Sequence, residues 1–260
     1  MNTAELKKYL DKIYLKYKYR HSSGDPVWIL HEFPDAKDIE IIGLITSCYA
    51  YGRVDQINFF INKFLKRIDF KVHEFTSNYS EHKDKKFLKD LFYRFNKEDD
   101  LSLLLINIKK ALIKYGSLQN LFLEKYDPSE INILNALTNF SNVLNNNVRG
   151  KSGYNYLLPS PLNKSTCKRL NLYFRWMIRK DDIDIGVWSE SADKSKLIMP
   201  VDTHIYRIAK KLRLVKRKSC DMKFAVELTE KLKKFDKEDP VKYDFAMCHI
   251  GIEKQQVEDE

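Results

Sequence analysis

The sequence points to an all-α fold, and three of its features carry that expectation. Apolar residues recur at spacings of three and four along most of the 260 residues, which is the period of a helix face. Only 8 Gly and 7 Pro interrupt the chain, while Leu, Lys, Ile and Asn are plentiful. Hydrophobic residues make up 43%, enough for ordinary globular burial, and the length suits one large domain or two lobes sharing a core. No strand is needed to explain the pattern.

Residues 3 to 18 place Leu6, Leu10, Ile13, Tyr14 and Tyr17 at helical spacing, until His21-Ser22-Ser23-Gly24-Asp25-Pro26 breaks it. After Phe33-Pro34-Asp35, the run from Ile39 to Ala50 is almost continuously apolar. It is too short to cross a bilayer and is expected as a buried core helix, with Gly52 placed to close it. Val54 to Ile68 continues as an amphipathic helix with Ile57, Phe60, Ile61, Phe64 and Leu65 on one face. A polar stretch from His73 to Asp100 surrounds Phe87, Leu88, Leu91, Phe92 and Phe95 and is read as one helix between loops. Leu101 to Tyr115 and Ser129 to Leu144 are two more helices, with 116 to 128 left open. Asn145 to Gly153 is a turn-rich linker; it lacks the G-x-x-x-x-G-K-[ST] spacing of a phosphate loop.

Pro159, Ser160 and Pro161 interrupt the chain again, and Ser165 to Arg179 follows as a helix with Cys167, Leu170, Phe174, Met177 and Ile178 inward. Its other face carries Lys168, Asn171, Arg175 and Arg179, and three cations along one edge read by themselves as a solvated face. Pro200 disfavours a helical Met199, and Ile205, Ile208, Ala209 and Leu212 then recur at helical spacing, so Asp202 falls at an N-cap. Alone, such a carboxylate satisfies orphan N–H groups and complements the helix dipole. Met222 to Phe235 is a further helix.

The formal net charge is +10, and a net of +9 lies between Lys164 and Lys218, where fifteen Lys and Arg face six acids. A basic surface attracts a polyanion, nucleic acid being the commonest; a solvated Lys-rich surface is the plainer reading. Cys48, Cys167, Cys220 and Cys248 form no C-x-x-C pair, so neither a zinc site nor a disulfide framework is expected. The N-terminal residues lack the apolar core of a signal peptide, and no apolar run reaches 18 residues. A cytoplasmic, reduced protein without a membrane partner is expected.

Val201-Asp202-Thr203-His204-Ile205 with Arg207 resembles the V-D-T-H-I/V-x-R segment of the helix-hairpin-helix DNA glycosylases, the superfamily of endonuclease III and the 8-oxoguanine glycosylases. Leu158-Pro159 and the helix after it resemble that family's L-P-G-x-G hairpin and lysine-bearing helix, with Ser160 and Leu162 at the two glycine positions. Lys168-x-x-Asn171 with Arg175 is similar to the K-x-x-N/D and K-(x)6-K/R arrangement of the archaeal 8-oxoguanine enzymes. The segment from Asp239 to Gly251 resembles the closing helix of the fold. Together these runs resemble a bacterial family of uncharacterised conserved proteins within the superfamily, from Asp25 to Gly251.

The resemblance implies a helix-hairpin-helix glycosylase fold over 1–260. One helical lobe would come from both ends (roughly 1–50 and 215–260) and a second from roughly 51–214, including the hairpin region 158–180, with the active site between them. It implies that Lys168 is the nucleophile, with Lys164 as the alternative, and that Asp202 is the catalytic carboxylate. Ser160, Lys164, Ser165, Arg169, Arg175 and Arg179 would contact DNA, although the lost glycines remove the usual close backbone approach to a phosphate. Trp176, Trp188, Tyr154 and Tyr156 are aromatic candidates for receiving an extruded base; by spacing alone such rings are core. For Asp244 and His249, helix capping and core hydrogen bonds are the plainer roles beside a catalytic one. No iron–sulfur cluster is expected, since only Cys248 lies near the place where four cysteines would be needed.

The expected function is therefore base-excision repair: a glycosylase and abasic-site lyase in the cytoplasm at the nucleoid, acting as a monomer on damaged DNA, oxidised guanine being the leading substrate. The chemistry suits the residues. A lysine amine with an ordinary pKa near 10 needs desolvation or neighbouring cations, here Arg169 and Arg175, to attack a sugar. A fixed carboxylate opposes the positive charge that develops as the base departs. Two alternatives stay open: a non-catalytic binder of abasic or distorted DNA, and a glycosidase acting on RNA or a free modified nucleoside.

Overall fold

The computed structural model describes residues 3–19, 24–146 and 152–248, and among them the fold is helical, with no named strand. The chain runs through α1 (Thr3–Tyr17), α2 (Ala36–Cys48), α3 (Val54–Arg67), α4 (Val72–Asn78), α5 (Glu81–Asp84) and α6 (Glu98–Tyr115). It continues through α7 (Leu118–Leu123), α8 (Leu134–Leu144), α9 (Ser152–Leu157), α10 (Lys168–Ile178), α11 (Thr203–Lys211) and α12 (Met222–Leu232). Residues 243–248 are helical as well. His249 and Gly251, together with the His21–Ser23 and Asn147–Lys151 runs, lie outside the described residues.

Helix α2 is the central element, as its continuous apolar run requires: residues Ile39 to Cys48 are all buried. Asp35 caps its start, accepting from Lys37 N at 2.9 Å. It packs on α10, and Gly43 permits the approach, since a Cβ there would stand 2.9 Å from Met177 Cε. Glu40, buried inside this helix, accepts from Trp188 Nε1 at 2.9 Å and from Leu118 N at 3.0 Å. Burial pushes its carboxyl up, against the pull of those donors. The segment between α10 and α11 that carries Trp188 is thus tied to α2 and to the start of α7.

Two expectations change. The single helix expected around Phe87 to Phe95 is instead a 3-10 turn at Lys85–Leu88 followed by loop. Leu88, Leu91 and Tyr93 are the buried residues there, a spacing no single helix face provides, and Asp90 and Arg94 take φ of 59° and 56°. The second change concerns α10, which is buried from Arg169 to Ile178 on every side. Its cationic edge faces the interior because the 180–185 segment and the C-terminal segment pack over it.

That edge carries a buried ion network. Arg175 contacts Asp184 at 3.1 Å and pairs with Asp244. Arg179 contacts Asp181 at 2.6 Å, Asp184 at 2.8 Å and Asp239 at 3.0 Å, and donates to Tyr14 Oη at 3.0 Å. The network joins the first helix, α10, the 180–185 segment and the C-terminal segment.

Candidate functional site

Lys168 and Asp202 meet. Lys168 Nζ lies 3.8 Å from Asp202 Oδ2, with the two side chains 29% and 30% exposed. Both positions follow from local structure. Asp202 is the N-cap of α11, and its Oδ1 accepts from His204 N and Ile205 N, both at 2.9 Å. One carboxylate oxygen is therefore held by the cap while the other faces the lysine. Lys168 is the first residue of α10, and the loop before it is pinned: Thr166 Oγ1 donates to Val201 O at 2.7 Å, and Asn171 Nδ2 donates to Thr166 O at 2.9 Å. The first bond fixes the start of α10 directly to the segment that presents Asp202.

The pair opens into a cleft of about 660 Å³. Its walls come from three parts of the chain: the 25–26 and 50–57 segments, the stretch from Tyr156 to Leu172, and Val201 to His204 with Cys220. In the floor lies Arg169, whose guanidinium donates to Cys48 O at 3.2 Å and to Tyr156 O. It stacks at 4.2 Å from the Tyr156 ring centroid and 5.3 Å from that of Tyr51. No carboxylate pairs with it among the described residues, and burial draws the guanidinium below its usual value. Cys220, an exposed residue, lines the same cleft, where partial desolvation and the carboxylates of Asp202 and Asp221 push its thiol up.

The other expected site residues divide. Ser165 lines the cleft, and its Oγ accepts from Cys167 N at 3.0 Å. Lys164 is exposed, takes a left-handed φ of 58° and does not line the cleft, so of the two candidate nucleophiles only Lys168 stands beside the acid. Ser160 caps the short 3-10 turn Pro161–Asn163, accepting from Leu162 N at 3.3 Å. Arg175 and Arg179, expected on DNA, are each 3% exposed and committed to internal carboxylates, so neither reaches a phosphate. Asp244 is likewise internal; burial pushes its carboxyl up to about 6 against the pull of Arg175 and Lys168.

The aromatic expectations are corrected in the same way. Trp176, Trp188 and Tyr154 are core residues, none more than 1% exposed. Tyr154 Oη donates to Leu144 O at 2.5 Å and accepts from Asn107 Nδ2 at 3.0 Å, while Trp188 stacks with Phe122 and bonds Glu40. Tyr156 does line the cleft and is 41% exposed. Sequence reasoning passed over Tyr51, which lies two residues beyond Tyr49, the C-cap of α2, and precedes Gly52. The glycine was the available signal: its φ of +87° turns the chain there and leaves Tyr51 in the wall.

Among the described residues no group of three or more His, Cys, Asp or Glu is arranged to hold a metal ion, and no helix is long and apolar enough to cross a membrane. Residues 25–253 match the model of a family described as "Protein of unknown function (DUF2400)". The chain belongs to this family. For a DUF2400 member the match is informative in its extent: it takes in every cleft residue, from Asp25 to Cys220, and leaves α1 outside. No curated protein and no solved structure matches the chain.

Proposed function

We propose that this protein is a DNA glycosylase with an abasic-site lyase step, removing a damaged base, with oxidised guanine as the leading substrate. The observation that carries the reading is the amine and the half-anchored carboxylate 3.8 Å apart in a cleft floored by an unpaired guanidinium. The sequence similarity of Lys168, Asn171 and the V-D-T-H segment to helix-hairpin-helix glycosylases supports it.

In this reading the neutral Lys168 amine attacks the anomeric carbon, the bond to the base breaks, and the base leaves with the electron pair and is protonated. Asp202 Oδ2 stabilises the positive charge on the sugar and takes the proton that the attacking amine loses. Opening of the sugar ring gives a Schiff base, and loss of a C2′ proton then expels the 3′ phosphate. The Asp202 cap matters here, because a carboxylate already fixed by two N–H groups needs no reorganisation as charge develops. Arg169 supplies positive charge toward a phosphate or an electron-rich base edge.

Borohydride trapping on duplexes carrying an abasic site or oxidised guanine tests the reading. A covalent adduct is expected with the wild type and with Lys164→Gln, and none with Lys168→Gln. A second reading, a non-catalytic binder of abasic or distorted DNA, is favoured by Ser160 and Leu162 at the hairpin positions; tight binding without any adduct would select it.

A further inference from the structure

The turn Tyr93-Arg94-Phe95-Asn96 stands at the rim of the cleft and is held there by the cleft's own wall. Tyr93 and Asn96 exchange backbone hydrogen bonds of 2.9 and 3.0 Å. The Tyr93 hydroxyl donates to the Tyr51 carbonyl, and the Tyr51 hydroxyl donates to Asn96 Oδ1 at 2.5 Å. Gly52 makes room for the turn, since a Cβ there would stand 2.6 Å from Arg94 Nη1 and 2.9 Å from Tyr93 Oη.

This pinned turn presents two side chains outward. Phe95 is 52% exposed, stacks on Tyr51 with ring centroids 5.6 Å apart and an interplanar angle of 28°, and meets Tyr156 edge-on at 4.6 Å. Arg94 is exposed, has no carboxylate partner among the described residues, and adopts a left-handed backbone that a non-glycine residue takes only at a cost. Its guanidinium carbon lies 5.9 Å from the Tyr51 ring centroid. Tyr51 therefore joins the two places, with Arg169 of the cleft floor 5.3 Å from the same ring. Phe95 packs on Tyr51 and Tyr156 and still leaves about half of its surface to water. A flat apolar ring beside a free guanidinium is the pair that an unpaired base and its phosphate require.

We propose that the Arg94–Phe95 turn is a second nucleotide subsite, taking the unpaired base and phosphate adjacent to the nucleotide in the cleft. The inference rests on the DNA reading of the cleft and adds a contact to it: the strand is held at the nucleotide next to the one in the cleft, opened at the site. Phe95 stacks the neighbouring base and Arg94 pairs with the phosphate joining the two nucleotides.

The probe is short single-stranded DNA with a tetrahydrofuran abasic analogue beside 2-aminopurine, whose emission falls when its ring is stacked. Quenching on binding is expected with the wild type. Phe95→Ala should abolish the quenching and weaken binding about tenfold, the scale of one base–aromatic stack, while Phe95→Tyr retains both. Arg94→Gln should weaken binding and flatten its salt dependence by about one phosphate contact. Unchanged quenching and affinity in Phe95→Ala, with its circular dichroism like the wild type's, would overturn the proposal, as would nucleoside affinity equal to that of the strand. Phe95-dependent quenching without any borohydride adduct would keep the subsite and remove the lyase chemistry; no binding of the strand by the wild type would remove both.

Discussion

Lys168 Nζ and Asp202 Oδ2 are 3.8 Å apart, and the hydrogen bond that sets this spacing joins their neighbours, Thr166 Oγ1 to Val201 O at 2.7 Å. Asp202 does two things with two oxygens, capping α11 with one and facing the lysine with the other. The two roles separate by substitution. Asn caps about as well as Asp but carries no charge. Asp202→Asn should therefore keep the melting temperature near that of the wild type while slowing adduct formation at least a hundredfold in single-turnover trapping. Asp202→Ala should slow the reaction and also lose about 1 kcal/mol of stability, the usual worth of a cap. Equal trapping rates in the wild type and Asp202→Asn would take the carboxylate out of the chemistry.

The buried arginines and the exposed Lys164, at the end of the Pro161–Asn163 turn, should behave oppositely toward salt. Removing Arg179 leaves Asp184 and Asp239 without their shared cation, so Arg179→Met should cost about 3–5 kcal/mol in urea unfolding. Whatever folded protein remains should bind DNA with an unchanged salt slope. Lys164→Gln should leave stability within about 0.5 kcal/mol and lower the slope of log affinity against log salt by about one. A changed slope in Arg179→Met would return that residue to the DNA-contacting set.

Trp188 belongs to the core by its contacts, and its indole is the donor that satisfies buried Glu40. Trp188→Phe keeps most of the packing and leaves Glu40 Oε1 without its partner, so it should destabilise by about 1–3 kcal/mol. Trp188→Ala should cost about 3–5 kcal/mol through the added cavity. Neither should change the affinity of folded protein for an abasic strand. Loss of affinity in Trp188→Phe without loss of stability would restore the ring as a base platform.

Four carboxylates, Asp181, Asp184, Asp239 and Asp244, share the two guanidiniums of Arg175 and Arg179. With positive charge in deficit, burial pushes Asp184 up and Asp244 up to about 6. At Asp181, burial is outweighed by Arg179 and by the amides of Asp184 and Ile183, and the carboxyl is held low. A carboxyl raised in the folded state favours folding below its unfolded value, and that contribution is lost as pH rises through its folded value. Relative to Asp244→Asn, the wild type should therefore lose up to about 3 kcal/mol between about pH 4 and 6 and then level off. Urea unfolding of both proteins across this range measures the difference; parallel pH profiles would contradict the assignment.

Local rules, readable in the chain by itself, determined much of this protein. The apolar run in α2 required a central buried helix, although the helix ends at Tyr49 and not at Gly52, and Pro200 with the apolar spacing beyond it required Asp202 to cap α11. Those features depend on residues a few positions apart, where backbone sterics and helix periodicity act. Only the tertiary structure decided which cations reach solvent and which rings reach the cleft. Lys168, Arg175 and Arg179 share one face of α10, yet the first opens into the cleft while the other two are enclosed by Asp239 and Asp244, some sixty residues further on. Tyr156 and Phe95 sit at the rim while Trp176 and Trp188 lie inside. Helix periodicity says which side chains share a face; what that face meets is set by distant segments packing over it, and charge or aromaticity at a single position does not encode that.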